Sequence, residues 1–168
     1  MVLSRDGMVK KIEAVEIVDK ALPTVIKGSF SSSSVFAISL ATGSTILPFD
    51  AEAFDANDEF DLSTHTYTAA QDGVYAISVQ IEATASLGIA TNFGVSIHHN
   101  GSIISQNSFA NVGILGINAT PPVRQSTNLV ALAAGDTIHF EVLGEIALGT
   151  IDLNGATTES FFTIHQIR

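Results

Sequence analysis

The chain has 168 residues, of which 46% are hydrophobic and only 14% charged, with a formal net charge of -10 and no cysteine. One domain of this length buries roughly 70% of its unfolded surface without needing a staple, and the missing thiols exclude disulfides, zinc-thiolate sites, iron–sulfur clusters and thiol catalysis. The apolar composition excludes disorder, and the negative charge argues against binding a phosphate backbone.

The first residues carry no apolar run of signal-peptide length, so the chain is expected to be made in a cytoplasm without a cleaved leader. No segment approaches the roughly 18 apolar residues that span a bilayer. From Met8 to Leu22, the residues Met8, Ile12, Val15, Val18 and Leu22 recur at helical spacing, and Pro23 closes the stripe. A helix this short is marginal alone, so it must pack on its own domain, on copies of itself or on a larger assembly. Residues 1–28 are therefore predicted to be an N-terminal arm. Ser29–Ser34 reads as a short flexible linker. Charge divides at the same place. Five basic residues against four acids leave the arm at +1, while two basic residues against thirteen acids leave the remainder at -11.

Beyond Ser34 the periodicity becomes two. Tyr75, Ile77, Val79 and Ile81 alternate with small or polar residues, as do Phe93, Val95 and Ile97, then Ile138, Phe140 and Val142, then Phe162 and Ile164. Turn signals fall between these runs at Asp72-Gly73, Asn100-Gly101, Pro121-Pro122, Gly135-Asp136 and Asn154-Gly155. Many short strands with almost no helical signal predict an all-β sandwich or barrel. Tyr75, Ile77, Val79, Phe140 and Phe162 are its expected core or subunit-contact residues. The alternate faces hold Ala, Ser, Thr and Gly more than charge, which is the texture of a surface covered by another subunit.

Several of these segments resemble the globular head of complement component 1q. Tyr67-Thr68, Asp72-Gly73-Val74-Tyr75 and Ser78 match its first strand-turn-strand motif. His99-Asn100-Gly101 matches its Asn-Gly turn, and Ser126 to Ile138 its strand leading into Gly-Asp. Ser160-Phe161-Phe162-Thr163-Ile164 matches its closing strand, although Thr163 stands where that family has glycine. The resemblance spans residues 35–168. It implies the ten-strand jelly roll shared with the tumour necrosis factor superfamily, and a homotrimer. No Gly-X-Y repeat precedes the head, unlike many members of that family. The loop where several members bind calcium contains no acid here from Asn107 to Gln125, so that site is expected to be missing.

Candidate chemistry is sparse. Asp50, Glu52, Asp55, Asp58, Glu59 and Asp61 form the one dense acidic run, which lacks the glycine and closing glutamate of a calcium loop. It is a solvated loop, a weak calcium site through Asp55, Asp58 and Asp61, or a partner-binding face. His98 and His99 are adjacent in a predicted strand, so they face opposite sides and cannot chelate one ion from one chain. His65, His139 and His165 are scattered; a trimer could gather three copies of one histidine at its axis, and His139 and His165 stand out as strand residues. No nucleophile elbow, phosphate loop or dinucleotide fingerprint occurs, so neither an enzyme nor a cofactor is expected.

The sequence thus predicts a homotrimeric jelly-roll head without enzymatic activity. With no leader and a separate arm, it fits a structural or receptor-binding component of a phage virion, spore or bacterial surface particle, with a protein or glycan as receptor. A free cytokine-like or lectin-like recognition module and a purely architectural decoration protein are the alternatives.

Overall fold

A computed structural model describes residues 2–3, 9–10, 22–32, 35–38, 43–83, 90–110, 123–146 and 151–167. The elements in chain order are short strands β1 (Val2–Leu3) and β2 (Val9–Lys10), then β3 (Val25–Ser29), β4 (Val35–Ile38), β5 (Gly43–Ile46) and β6 (Ala51–Asp55). There follow β7 (Phe60–Asp61), β8 (Thr66–Thr68), β9 (Gly73–Glu82), β10 (Ala90–His99) and β11 (Ser102–Ala110). The chain continues with β12 (Val123–Leu132), β13 (Thr137–Ile146), β14 (Ile151–Asn154) and β15 (Phe161–Gln166). The protein is all-β, and among the described residues no helix is long and apolar enough to cross a membrane.

Two antiparallel sheets face each other. One has the order β12-β9-β15-β3-β6. The other runs β11-β10-β13-β8-β7, with β5 and β8 sharing one edge of β13. A separate ribbon pairs β4 with β14, and Ala83 bridges to Leu153. In the five-stranded sheet no two neighbours are consecutive in the chain, which is the jelly-roll pattern. The hairpin from β10 to β11 turns on Asn100 and Gly101, both at positive φ, where asparagine and glycine are tolerated best.

The period-two runs place their apolar members between the sheets. Tyr75, Ile77, Val79 and Ile81 of β9, Phe93, Val95 and Ile97 of β10, and Ile138, Phe140 and Val142 of β13 are all buried. Phe162 is the hub. Its ring centroid lies 4.5 Å from that of Phe60, 4.9 Å from Phe140 and 5.2 Å from Phe49. Gly28 lets this ring lie flat against β3, since a Cβ there would sit 2.1 Å from Phe162 Cε1.

The N-terminal boundary differs from the sequence expectation. Residues 25–28 are not arm: Val25–Ser29 pairs with β15 on one side and β6 on the other. Nor is the serine-rich stretch a free linker through Ser32. Phe30 is 1% exposed and stacks on Phe49 at 4.7 Å, while Asp50 accepts hydrogen bonds from the Ser31 backbone and hydroxyl. One aromatic side chain with a waiting pocket outweighs the flexibility of the serines around it. Ser33 and Ser34 lie outside the described residues. Of the stripe from Met8 to Leu22, Val9 and Lys10 pair with Leu3 and Val2 as a ribbon instead of a helix, and Met8 and residues 11–21 lie outside the described residues.

Candidate functional site

The acidic run builds a turn. Asp55 accepts backbone hydrogen bonds from Asn57, Glu59 and Phe60 at 3.1, 2.7 and 2.8 Å. Asp61 accepts from the Ser63 backbone and hydroxyl and from the Thr64 backbone, interactions that hold its carboxyl at about 2. Asp58 occupies the left-handed region at φ 57. Asp55, Asp58 and Asp61 therefore do not converge on a cation; among the described residues they form no cluster within ligating distance. The oxygens of Asp55 and Asp61 accept backbone amides, as aspartates in turns often do. Glu52 borders the same turn, and its pKa is raised by burial and by the charges of Asp55 and Asp58. A shallow hollow of about 760 Å³ opens there, lined by Glu52, Asp58, Glu59 and Asp61.

A second cluster forms across β10 and β13. His98 and His139 are direct register partners in that ladder, and Glu141 lies two residues beyond His139 on the same face. Ile97 and Phe140 point into the core, so this trio lies on the face turned away from it. The imidazoles stack with centroids 4.7 Å apart and 24° between planes. His98 Nε2 lies 3.4 Å from Glu141 Oε2, and His139 Nε2 lies 3.2 Å from Glu141 Oε1. Ser96, one alternation before His98, brings its hydroxyl to 2.9 Å from His98 Nε2.

These groups are coupled. His98 is buried, and that burial pushes its pKa down; the charge of Glu141 and a hydrogen bond to the Gly101 backbone work the other way. Burial opposes ionisation of Glu141 too, but a hydrogen bond from Ser44 and the neighbouring His98 and His139 outweigh it and hold the carboxyl below its ordinary value. His98, His139 and Glu141 are the described metal-capable cluster, with donor atoms all within 4.8 Å of one another.

The remaining histidines lie apart. His99 turns to the other side of its strand, as adjacency requires, and meets Asp136 at 3.0 Å. His65 hydrogen-bonds the Phe49 carbonyl at 2.9 Å. His165 lines a shallow groove of about 530 Å³ on the outward face of the five-stranded sheet, beside Ala76, Ser78, Thr127, Leu129 and Thr163. The pairing of His98 with His139 was missed because it depends on strand register. The available signal was two strands that each repeat a polar side chain at i and i+2, Ser96 with His98 and His139 with Glu141.

No protein-family model matches the sequence, and no curated protein does. Solved structures are similar in fold. Eiger TNF from S. frugiperda superposes with a TM-score of 0.59 at 15% identity, covering 88% of this chain and 94% of that one. Murine APRIL at pH 8.0 gives 0.62 at 10% identity over 87% of this chain and all of that one, and at pH 8.5 it gives 0.61 at 9%. With its two-sheet strand order and its phenylalanine-centred core, the chain has the jelly-roll fold of the tumour necrosis factor and complement-1q type.

Proposed function

We propose that the protein is a non-enzymatic, homotrimeric binding or display head, a structural or receptor-binding component of a phage virion or bacterial surface particle. Residues 1–21 attach it to that particle. The observation that carries this reading is the outward face of the five-stranded sheet. Ala76, Ser78, Thr127 and Thr163 give it small, uncharged side chains, and Leu129 stands 65% exposed among them. Such a face becomes stable against water when a second copy covers it. The trimer implied by the resemblance to complement 1q supplies that copy. The described sandwich includes Thr24 and β3, so the attachment proposed here is assigned to the residues before them.

Sedimentation equilibrium of the full chain should give three times the 17.6 kDa subunit mass. Leu129→Asp should return the single-chain mass while the far-ultraviolet spectrum stays that of a β protein. A wild-type protein that sediments as a monomer would refute the trimer. For the particle, full-length chain and residues 22–168 should be compared for co-purification with assembled virions. Equal incorporation would rule out attachment by the N-terminal segment. Binding of the isolated trimer to host cells, competed by host-surface protein or glycan, separates a receptor-binding head from an architectural cap.

A further inference from the structure

We propose that His98, His139 and Glu141 form a zinc-binding site on the outward face of the six-stranded sheet. Its nature follows from the donors and their spacing. Zinc binds imidazole nitrogen at about 2.0–2.1 Å and carboxylate oxygen at about 2.0–2.2 Å in tetrahedral array. Those lengths set the distance between neighbouring ligand atoms at about 3.3–3.5 Å. His98 Nε2 and His139 Nε2 stand 3.4 and 3.2 Å from the two different oxygens of Glu141, and the three ligand atoms lie within 4.8 Å of one another, so donors of the right kind are gathered within side-chain reach of one ion, which the stacked rings would meet by rotating toward it.

The donor set chooses among metals. Two imidazoles and one carboxylate suit a borderline ion such as zinc, whereas calcium and magnesium require a shell of oxygens. Three protein ligands leave a fourth position for water, with the Ser96 hydroxyl alongside. The ligands are also held. His98 and His139 sit on paired strands, the His98 ring donates to the Gly101 backbone carbonyl, and the Ser44 hydroxyl donates to Glu141. Outer partners of this kind orient metal ligands in established sites. His98 lies under the surface while the side chains of His139 and Glu141 remain 15% and 17% exposed, so an ion reaches the cluster from solvent. The competing description is a hydrogen-bonded cluster with no affinity for metal, in which Glu141 simply neutralises two stacked imidazoles.

The test uses the full chain, stripped with chelator and titrated with zinc against a chromophoric competitor. The expected result is one zinc per chain. His98→Gln, His139→Gln and Glu141→Gln should each weaken binding by more than about 100-fold, the upper end of what outer-sphere changes cost. Ser44→Ala should weaken it roughly 10–100-fold, which keeps the test usable should a ligand variant fold poorly. His99→Gln and His165→Gln should bind as wild type does. Cobalt(II) should give the visible bands of a tetrahedral centre, absent in Glu141→Gln. A folded wild type that takes up no zinc would overturn the proposal. So would binding that survives all three ligand substitutions, or that is abolished by His165→Gln instead. Trimer formation is read separately by sedimentation, so its failure leaves this result intact.

Discussion

Phe162 and Gly28 show how finely individual side chains are matched in this core. The Phe162 ring is held on three sides by Phe49, Phe60 and Phe140, so it cannot swing aside for a new group on β3. Gly28→Ala should therefore destabilise by at least about 1–3 kcal/mol, the usual cost of overpacking. Phe140→Ala and Tyr75→Ala, which open cavities instead, should cost about 3–5 kcal/mol. Urea denaturation measures all three, with an exposed turn site such as Thr157→Ala, expected within about 0.5 kcal/mol, as the reference. A cost below about 1 kcal/mol for Phe140→Ala would mean that its strand face is not packed in solution. The burial of Tyr75, Ile77, Val79, Phe140 and Phe162 was legible in the sequence because side chains on a regular strand alternate between its faces. Phe30 was not legible. Its serine neighbours signal a loop, and only the position of Phe49 in space turns it into a core residue.

At the scale of elements, two hairpins are locked together by Asp136. Its carboxylate accepts from Asn100 Nδ2 at 2.8 Å and from the Ala133 backbone at 2.9 Å, and meets His99 at 3.0 Å. Asn100 reciprocates by accepting from the Thr137 backbone at 2.9 Å. The turn of β10 and β11 is thereby joined to the turn of β12 and β13. These hydrogen bonds, first of all that from Asn100, hold the Asp136 carboxyl at about 2, below the roughly 3.9 of an unfolded aspartate. Its stabilising contribution is therefore complete above pH about 4 and is lost as pH falls through about 2. Asp136→Asn should flatten the dependence of the urea midpoint on pH between those limits. An unchanged slope would show that this link contributes nothing to acid stability. The Asn-Gly and Gly-Asp turn signals were readable, since their conformations are local. The link between them was not, and neither was the pairing of His98 with His139. Both depend on which strands become neighbours, and that is decided by the packing of residues some forty positions apart.

For the whole molecule, the sandwich beginning at Thr24 makes a sharp prediction. Residues 22–168 should melt at the temperature of the full chain. Residues 33–168 lack β3 and Phe30, and should show no cooperative transition by calorimetry. Equal melting of both would mean that β3 is dispensable. The all-β class, the jelly-roll topology and the weakly polar outer faces were all within reach of the sequence, through periodicity and resemblance. The true start of the fold was hidden because Val25–Ser29 is short and carries Lys27, whose ammonium rests over the Phe161 ring at 5.1 Å. The strand order of the five-stranded sheet has a consequence for how the protein is made. Its middle strand, β15, follows every other described strand in the chain, and it alone joins β9 to β3. Until Phe161 emerges from the ribosome, the five-stranded sheet is two half-sheets, β12-β9 and β3-β6, with open edges between them, while the other sheet already has all its strands. Closure of that sheet must therefore wait for β15, and until then its half-sheets expose the open edges that holding chaperones recognise.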